Sequence, residues 1–117
     1  MQLLVRAFPV LAGQEEQMRR FADDVRTTRA VGMADMYRRY GIARESWHLQ
    51  ETPHGTWVIA VTQIPDKPVD VAGEEYAGSR EDFDMWFKTQ VLTLTGIDPQ
   101  AAPLGPPTRC IFDSMDI

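Results

Sequence analysis

Leu3, Leu4, Val5 and Phe8 form a short apolar run that stops at Pro9, and this predicts a first strand. From Gln14 to about Tyr40 the period lengthens. Met18, Phe21, Ala22, Val25, Met36, Tyr37 and Tyr40 recur at helical spacing, with Arg19, Arg20, Asp23, Asp24, Arg26 and Arg39 mostly opposite them. The pattern predicts one long amphipathic helix ended by Gly41, a natural C-terminal stop. Gly32, inside it, marks either a loosened turn or a close contact, since a mid-helix glycine costs about 1 kcal/mol relative to alanine.

Between Glu45 and Ile64 the period becomes that of extended chain. Thr52-Pro53-His54-Gly55 is a turn signal, and Trp57-Val58-Ile59-Ala60-Val61 is rich in residues that suit strands. A hairpin closed with Glu51 opposite Thr56 sets His48 against Ile59 and Gln50 against Trp57, leaving Leu49, Val58 and Ala60 on the other face. Both faces carry apolar residues, so both call for a cover. After Pro65 and Pro68, Val69–Gly78 reads as a short helix. Ser79 reads as the N-cap of a second one, in which Phe83, Trp86, Phe87, Val91 and Leu94 form the apolar face. Residues 98–107 hold four of the eight prolines and read as an irregular crossing loop. Arg109–Phe112 reads as a last strand, with Cys110 as a small buried core residue within it.

The order condenses to β-α-β-β-α-β over a single domain, residues 1–117. The expected fold class is α+β, ferredoxin-like, with a four-stranded antiparallel sheet and the helices on one face. The uncovered sheet face then implies a homodimer formed by two-fold symmetry, a dimeric α/β barrel.

Composition narrows the function. Twelve Lys and Arg against 17 Asp and Glu give a net charge of −5, which disfavours the phosphate backbone of nucleic acid. The arginines between residues 19 and 39 read as a solvated helix face. One cysteine excludes an intrachain disulfide and a multi-cysteine metal site. No apolar run is long enough for a membrane span, and the N-terminus does not resemble a signal peptide, so the expectation is a cytoplasmic protein without a membrane partner.

Two histidines are present. His54 sits in the turn. His48 lies mid-strand, and its ordinary pKa suits proton transfer near neutral pH, which makes it the candidate catalytic acid or base and the one conceivable haem ligand. The spacing of the histidines does not form a metal site, and no phosphate loop, dinucleotide fingerprint or nucleophile elbow occurs, so no cofactor or metal is expected. Trp57, Trp86, Tyr37, Phe83 and Gln50 are the candidate ligand-binding residues, aromatic walls with one polar group, and Asp84 and Arg44 could add charge.

The stretch Leu49-Gln50-x-Thr52-Pro53-x-Gly55, followed by Trp57 and an aliphatic strand, resembles a group of uncharacterised bacterial proteins in the dimeric α/β-barrel superfamily. Phe83-Asp-Met-Trp-Phe-Lys88 is similar to that group's second helix. The resemblance implies a pocket in each subunit between sheet and helices. It also implies a superfamily that includes cofactor-independent monooxygenases, haem-degrading enzymes, dehydratases, lyases and binding proteins. Two expectations stay open. One is a small-molecule-binding protein acting as a cofactor-independent enzyme of monooxygenase, cyclase or lyase type on a hydrophobic or aromatic metabolite. The other is a non-catalytic ligand-binding or accessory dimer.

Overall fold

Pro53 and His54 form a two-residue turn between Thr52 and Gly55, and this turn sets the register of the sheet. Gly55 takes a φ of 129°, open to glycine and rare for other residues. The Thr52 hydroxyl donates to Gly55 O at 2.8 Å and accepts from His54 N at 3.1 Å. The computed structural model, which describes residues 2–117, shows strand β2 at Arg44–Thr52 and β3 at Gly55–Ile64. They pair as the sequence predicts, His48 with Ile59 and Gln50 with Trp57.

Strand β1, Gln2–Val10, pairs antiparallel with the other side of β3, giving the order β1-β3-β2. Directly opposed residues share a face. Leu4, Arg6 and Phe8 of β1 therefore lie beside Thr62, Ala60 and Val58 of β3, which in turn face Glu45, Trp47 and Leu49 of β2. This is the inner face. Leu3, Val5, Ala7, Trp57, Ile59, Val61, Ser46, His48 and Gln50 lie on the outer face, and none of them is buried.

Four helices follow: α1 Glu15–Arg26, α2 Ala30–Tyr40, α3 Val69–Gly78 and α4 Asp82–Thr95. Met18 and Phe21 of α1, Met36 and Tyr40 of α2, Ala72 of α3, and Phe87 and Leu94 of α4 meet Val58 and Ile64 of the inner sheet face in one core. Gly41, at φ 70°, closes α2 with Gly41 N–H on Arg38 O and Ile42 N–H on Tyr37 O, the paired bonds of a left-handed C-cap.

Several expectations are corrected here. The fold is a small α+β arrangement with a three-stranded sheet, β-α-α-β-β-α-α, and not a four-stranded ferredoxin-like βαββαβ or the barrel built from it. The expected last strand at Arg109–Phe112 carries no ladder. The chain just before it makes only an isolated bridge, Arg6 to Pro107, with the Thr108 hydroxyl on Val5 O, and the consecutive Pro106 and Pro107 have no N–H to extend that pairing. Beyond it Ile111 is 93% exposed and Cys110 is exposed rather than buried.

The expected long helix is two helices. Thr27 donates its hydroxyl to Asp23 O at 2.7 Å, and Arg29 N–H turns back to Asp24 O at 2.7 Å, so side-chain bonding competes with helix continuation at Thr27. Gly32 lies inside α2 as a close contact, because the Phe83 ring occupies the space of a Cβ. Ser79 ends α3 instead of capping α4, whose N-cap is Glu81.

Candidate functional site

The inner sheet face and the four helices do not fill the space between them. A cavity of about 110 Å³ remains, lined by Arg6, Glu45, Trp47 and Thr62 from the sheet, by Met36 and Tyr37 from α2, and by Tyr76 and Phe87 from α3 and α4. Pro103 and Leu104 of the proline-rich crossing loop line it as well. Leu104 rests on Gly73 of α3, where a Cβ would come within 3.0 Å of it.

The lining is apolar except for one cluster. Strand alternation places Arg6, Glu45 and Thr62 on the same face as Val58 and Ala60, so two opposite charges point inward. Their side chains are 13% and 7% exposed, a burial that ionised groups tolerate only when paired. Arg6 Nη2 donates to Glu45 Oε2 at 3.3 Å and to Thr62 Oγ1 at 2.9 Å, and Thr62 Oγ1 donates to Glu45 Oε2 at 2.6 Å. The other oxygen, Oε1, accepts from Tyr37 OH at 3.0 Å and Trp47 Nε1 at 2.8 Å. Four donors occupy the acceptor sites of one carboxylate.

This environment acts on the phenols. Burial first, then the charge of Glu45, holds the Tyr37 hydroxyl protonated far above its usual range. The same two causes raise Tyr76, with Arg6 opposing them. The Tyr76 hydroxyl therefore lies within the field of the Arg6–Glu45 pair, and it has no hydrogen-bond partner among the described residues.

A second buried cluster, centred on Asp84, adjoins this cavity through Tyr40 and is structural. Asp84, 0% exposed, accepts from Ser79 Oγ at 2.7 Å, from Tyr40 OH and from Arg39 Nη2, tying α2 to the α3–α4 junction. One turn on, Lys88 Nζ donates to the carbonyls of Tyr76, Ala77 and Ser79 at 3.1, 3.0 and 2.9 Å. A lysine from α4 thus caps the C-terminus of α3, where orphan carbonyls and the negative end of the helix dipole favour a cation. Burial lowers the Lys88 pKa, and Asp84 opposes that shift.

Of the candidate residues, the cavity takes only Tyr37. His48, Gln50 and Trp57 lie on the outer sheet face, where His48 Nε2 bonds Ser46 Oγ at 2.9 Å. Trp86 and Phe83 pack together at 5.4 Å on the helical side, with the Arg29 guanidinium 4.2 Å above the Trp86 ring. Arg44 is an exposed outer-face residue. Arg6, Glu45 and Tyr76 are the residues that the sequence analysis did not single out. The signal was present, because extending the Leu49–Val58 face by two steps reaches Trp47, Glu45 and Thr62.

No family model matches the chain, and no curated protein or solved structure matches it. Among the described residues, no cluster of His, Cys, Asp and Glu could hold a metal ion, and no helix is long and apolar enough to cross a membrane.

Proposed function

We propose that this protein binds a small hydrophobic or aromatic molecule in the cavity between its sheet and helices. The observation that carries the reading is an apolar space of about 110 Å³ with one ordered polar cluster at its sheet side. A space of that size is several times what a single water needs, and small-molecule sites share this design of apolar walls and a few placed polar groups.

The geometry supports binding more than catalysis. General-base chemistry needs a basic atom in reach of the substrate. Glu45, the cavity's carboxylate, is already engaged by four donors, and His48 faces away on the outer side of the sheet. The test uses benzene as a probe that can occupy an apolar cavity without any polar contact. Benzene should raise the melting temperature in a concentration-dependent way, as any ligand of the folded state does. It should do so less when Ala60 of the cavity lining is replaced by leucine. No rise at saturating benzene would reject the reading.

We propose also that two copies associate through the outer sheet face. The chain carries 17 acidic residues, yet none lies among the outer-face positions of the three strands, whose only basic side chains are Arg44 and His48. A face with no carboxylates meets its own copy without like-charge opposition, which a chain of net charge −5 does not otherwise offer. Val5, Ala7, Trp57, Ile59 and Val61 supply its apolar centre.

A further inference from the structure

We infer that the cavity selects an uncharged ligand of about one ring that carries a hydrogen-bond-accepting oxygen, a ketone, ester or amide carbonyl, held by Tyr76 and Arg6. This inference rests on the cavity being a binding site, and it adds which chemistry enters.

The carboxylate on the polar side of the cavity is fully taken, and what remains there is uncommitted N–H and O–H groups, whose stronger role is to donate. Both oxygens of Glu45 are occupied, Oε1 by Tyr37 and Trp47 and Oε2 by Thr62 and Arg6, so a ligand ammonium or other donor finds no free carboxylate. Arg6 offers five N–H groups, yet its protein partners take only Nη2, so Nη1 is the end of the guanidinium left for a ligand, while Nε is sealed in the protein without an acceptor. The Tyr76 hydroxyl is the second uncommitted donor. Its ring is fixed edge-on against Tyr40 at 5.9 Å and Phe87 at 6.2 Å, so the hydroxyl is positioned before any ligand arrives. Burial keeps that phenol protonated, and a protonated phenol donates.

Charge decides between a carbonyl and a carboxylate. The cavity's ionisable lining consists of Arg6, Glu45 and the three tyrosines, and the two charged groups already neutralise each other at 3.3 Å. A carboxylate ligand would set a second negative charge beside Glu45 in a desolvated space, and an uncompensated buried charge is strongly disfavoured. A neutral carbonyl accepts from the free donors without that cost. Volume supplies the last limit, since about 110 Å³ suits a single ring and falls below the few hundred cubic ångströms usual for drug-sized ligands.

Calorimetric titration of the folded protein with benzene, acetophenone and benzoate separates this inference from the reading beneath it. Acetophenone should bind about tenfold tighter than benzene, the increment of one good hydrogen bond, and benzoate should bind more weakly than acetophenone. Tyr76→Phe should reduce the acetophenone advantage to within about threefold of benzene. Unchanged benzene affinity in that variant shows that the cavity is intact. Benzene binding with acetophenone no tighter, with benzoate equal to acetophenone, or with the preference intact in Tyr76→Phe overturns the inference and leaves the binding reading standing. Failure of all three probes to bind overturns both.

Discussion

Trp47 and Glu45 stand two residues apart on one strand, and the indole Nε1 of Trp47 donates to Glu45 Oε1 at 2.8 Å. Residues at i and i+2 share a strand face, so a large aromatic and a carboxylate enter the same cavity together. The bond satisfies an indole N–H that would otherwise be buried beside Phe21 and Phe87, whose rings lie 5.3 and 6.0 Å away. It also holds the carboxylate toward Tyr37.

Breaking the charge pair should be costly. Arg6→Met leaves Glu45 buried with its cation gone, and the expected loss is about 3–5 kcal/mol of unfolding free energy. Chemical denaturation of the variant measures it. A loss below about 1 kcal/mol would mean that the pair is solvated and does not organise the cavity.

Lys88 should be as demanding, for a different reason. Lys88→Met keeps the length of the side chain and removes three hydrogen bonds from the end of α3. The expectation is about 2–4 kcal/mol of lost stability, on the order of 1 kcal/mol for each bond. Amide hydrogen exchange should quicken in Val69–Gly78 before it does in the sheet. Uniform exchange across both would contradict the cap.

The outer part of the fold was legible in the sequence, and the inner part less so. The hairpin from Arg44 to Ile64 follows from Thr52-Pro53-His54-Gly55 and strand alternation, and its register emerges residue for residue. Helix α3 follows from the break at Pro65 and Pro68, and α4 from its apolar spacing. The split of α1 from α2 is hidden because Thr27 and Thr28 lie within a helical period, and local hydroxyl bonding decides there. The fourth strand fails because apolar type alone suggested it, whereas the chain stays at the edge of β1 only as far as Pro107 and Thr108, and Ile111 and Phe112 beyond them are exposed. His48 has the most suggestive chemistry of any single residue in the sequence, yet it lies on the sheet face opposite the helices and outside the cavity. An arginine in the middle of β1 and a glutamate near the start of β2, both at inward phase, carry the site, and single charged residues in strands look like solvent positions until β1 is paired with β3.

Alkaline pH should unfold the protein. All three tyrosines are raised, Tyr37 and Tyr76 by burial and then Glu45, Tyr40 by burial and then its bond with Asp84. The unfolded chain releases these protons near pH 10, while the folded chain keeps them. Above that pH the folded state binds more protons, so stability is full below about pH 10 and falls as pH rises beyond it. Lys88 acts in the opposite sense, since its lowered pKa makes the unfolded chain the one that holds the extra proton, and one lysine stands against three tyrosines. Tyrosinate absorbance should appear together with the loss of circular dichroism. Tyrosinate forming near pH 10 in a chain that is still folded would contradict the burial of the phenols.

The outer face should hold two copies together. Sedimentation equilibrium is expected to give a dimer, and Ile59→Lys, which places a charge between Ala7 and His48 on that face, should shift the equilibrium toward monomer. A monomer at all accessible concentrations, or a dimer unmoved by Ile59→Lys, would remove the outer face from the account. His48→Asn should leave cavity ligands unaffected, because His48 lies on the other side of the sheet.

The most direct test of the cavity as a binding site reads its three tryptophans at once. Trp47 lines the cavity, Trp57 lies on the outer sheet face, and Trp86 packs beneath Arg29 away from it. In a nuclear magnetic resonance titration with benzene, the Trp47 indole N–H signal should shift and saturate while the Trp57 and Trp86 signals stay in place. A saturating shift at Trp57 or Trp86 with Trp47 unmoved would contradict the account, as would no shift at any of the three.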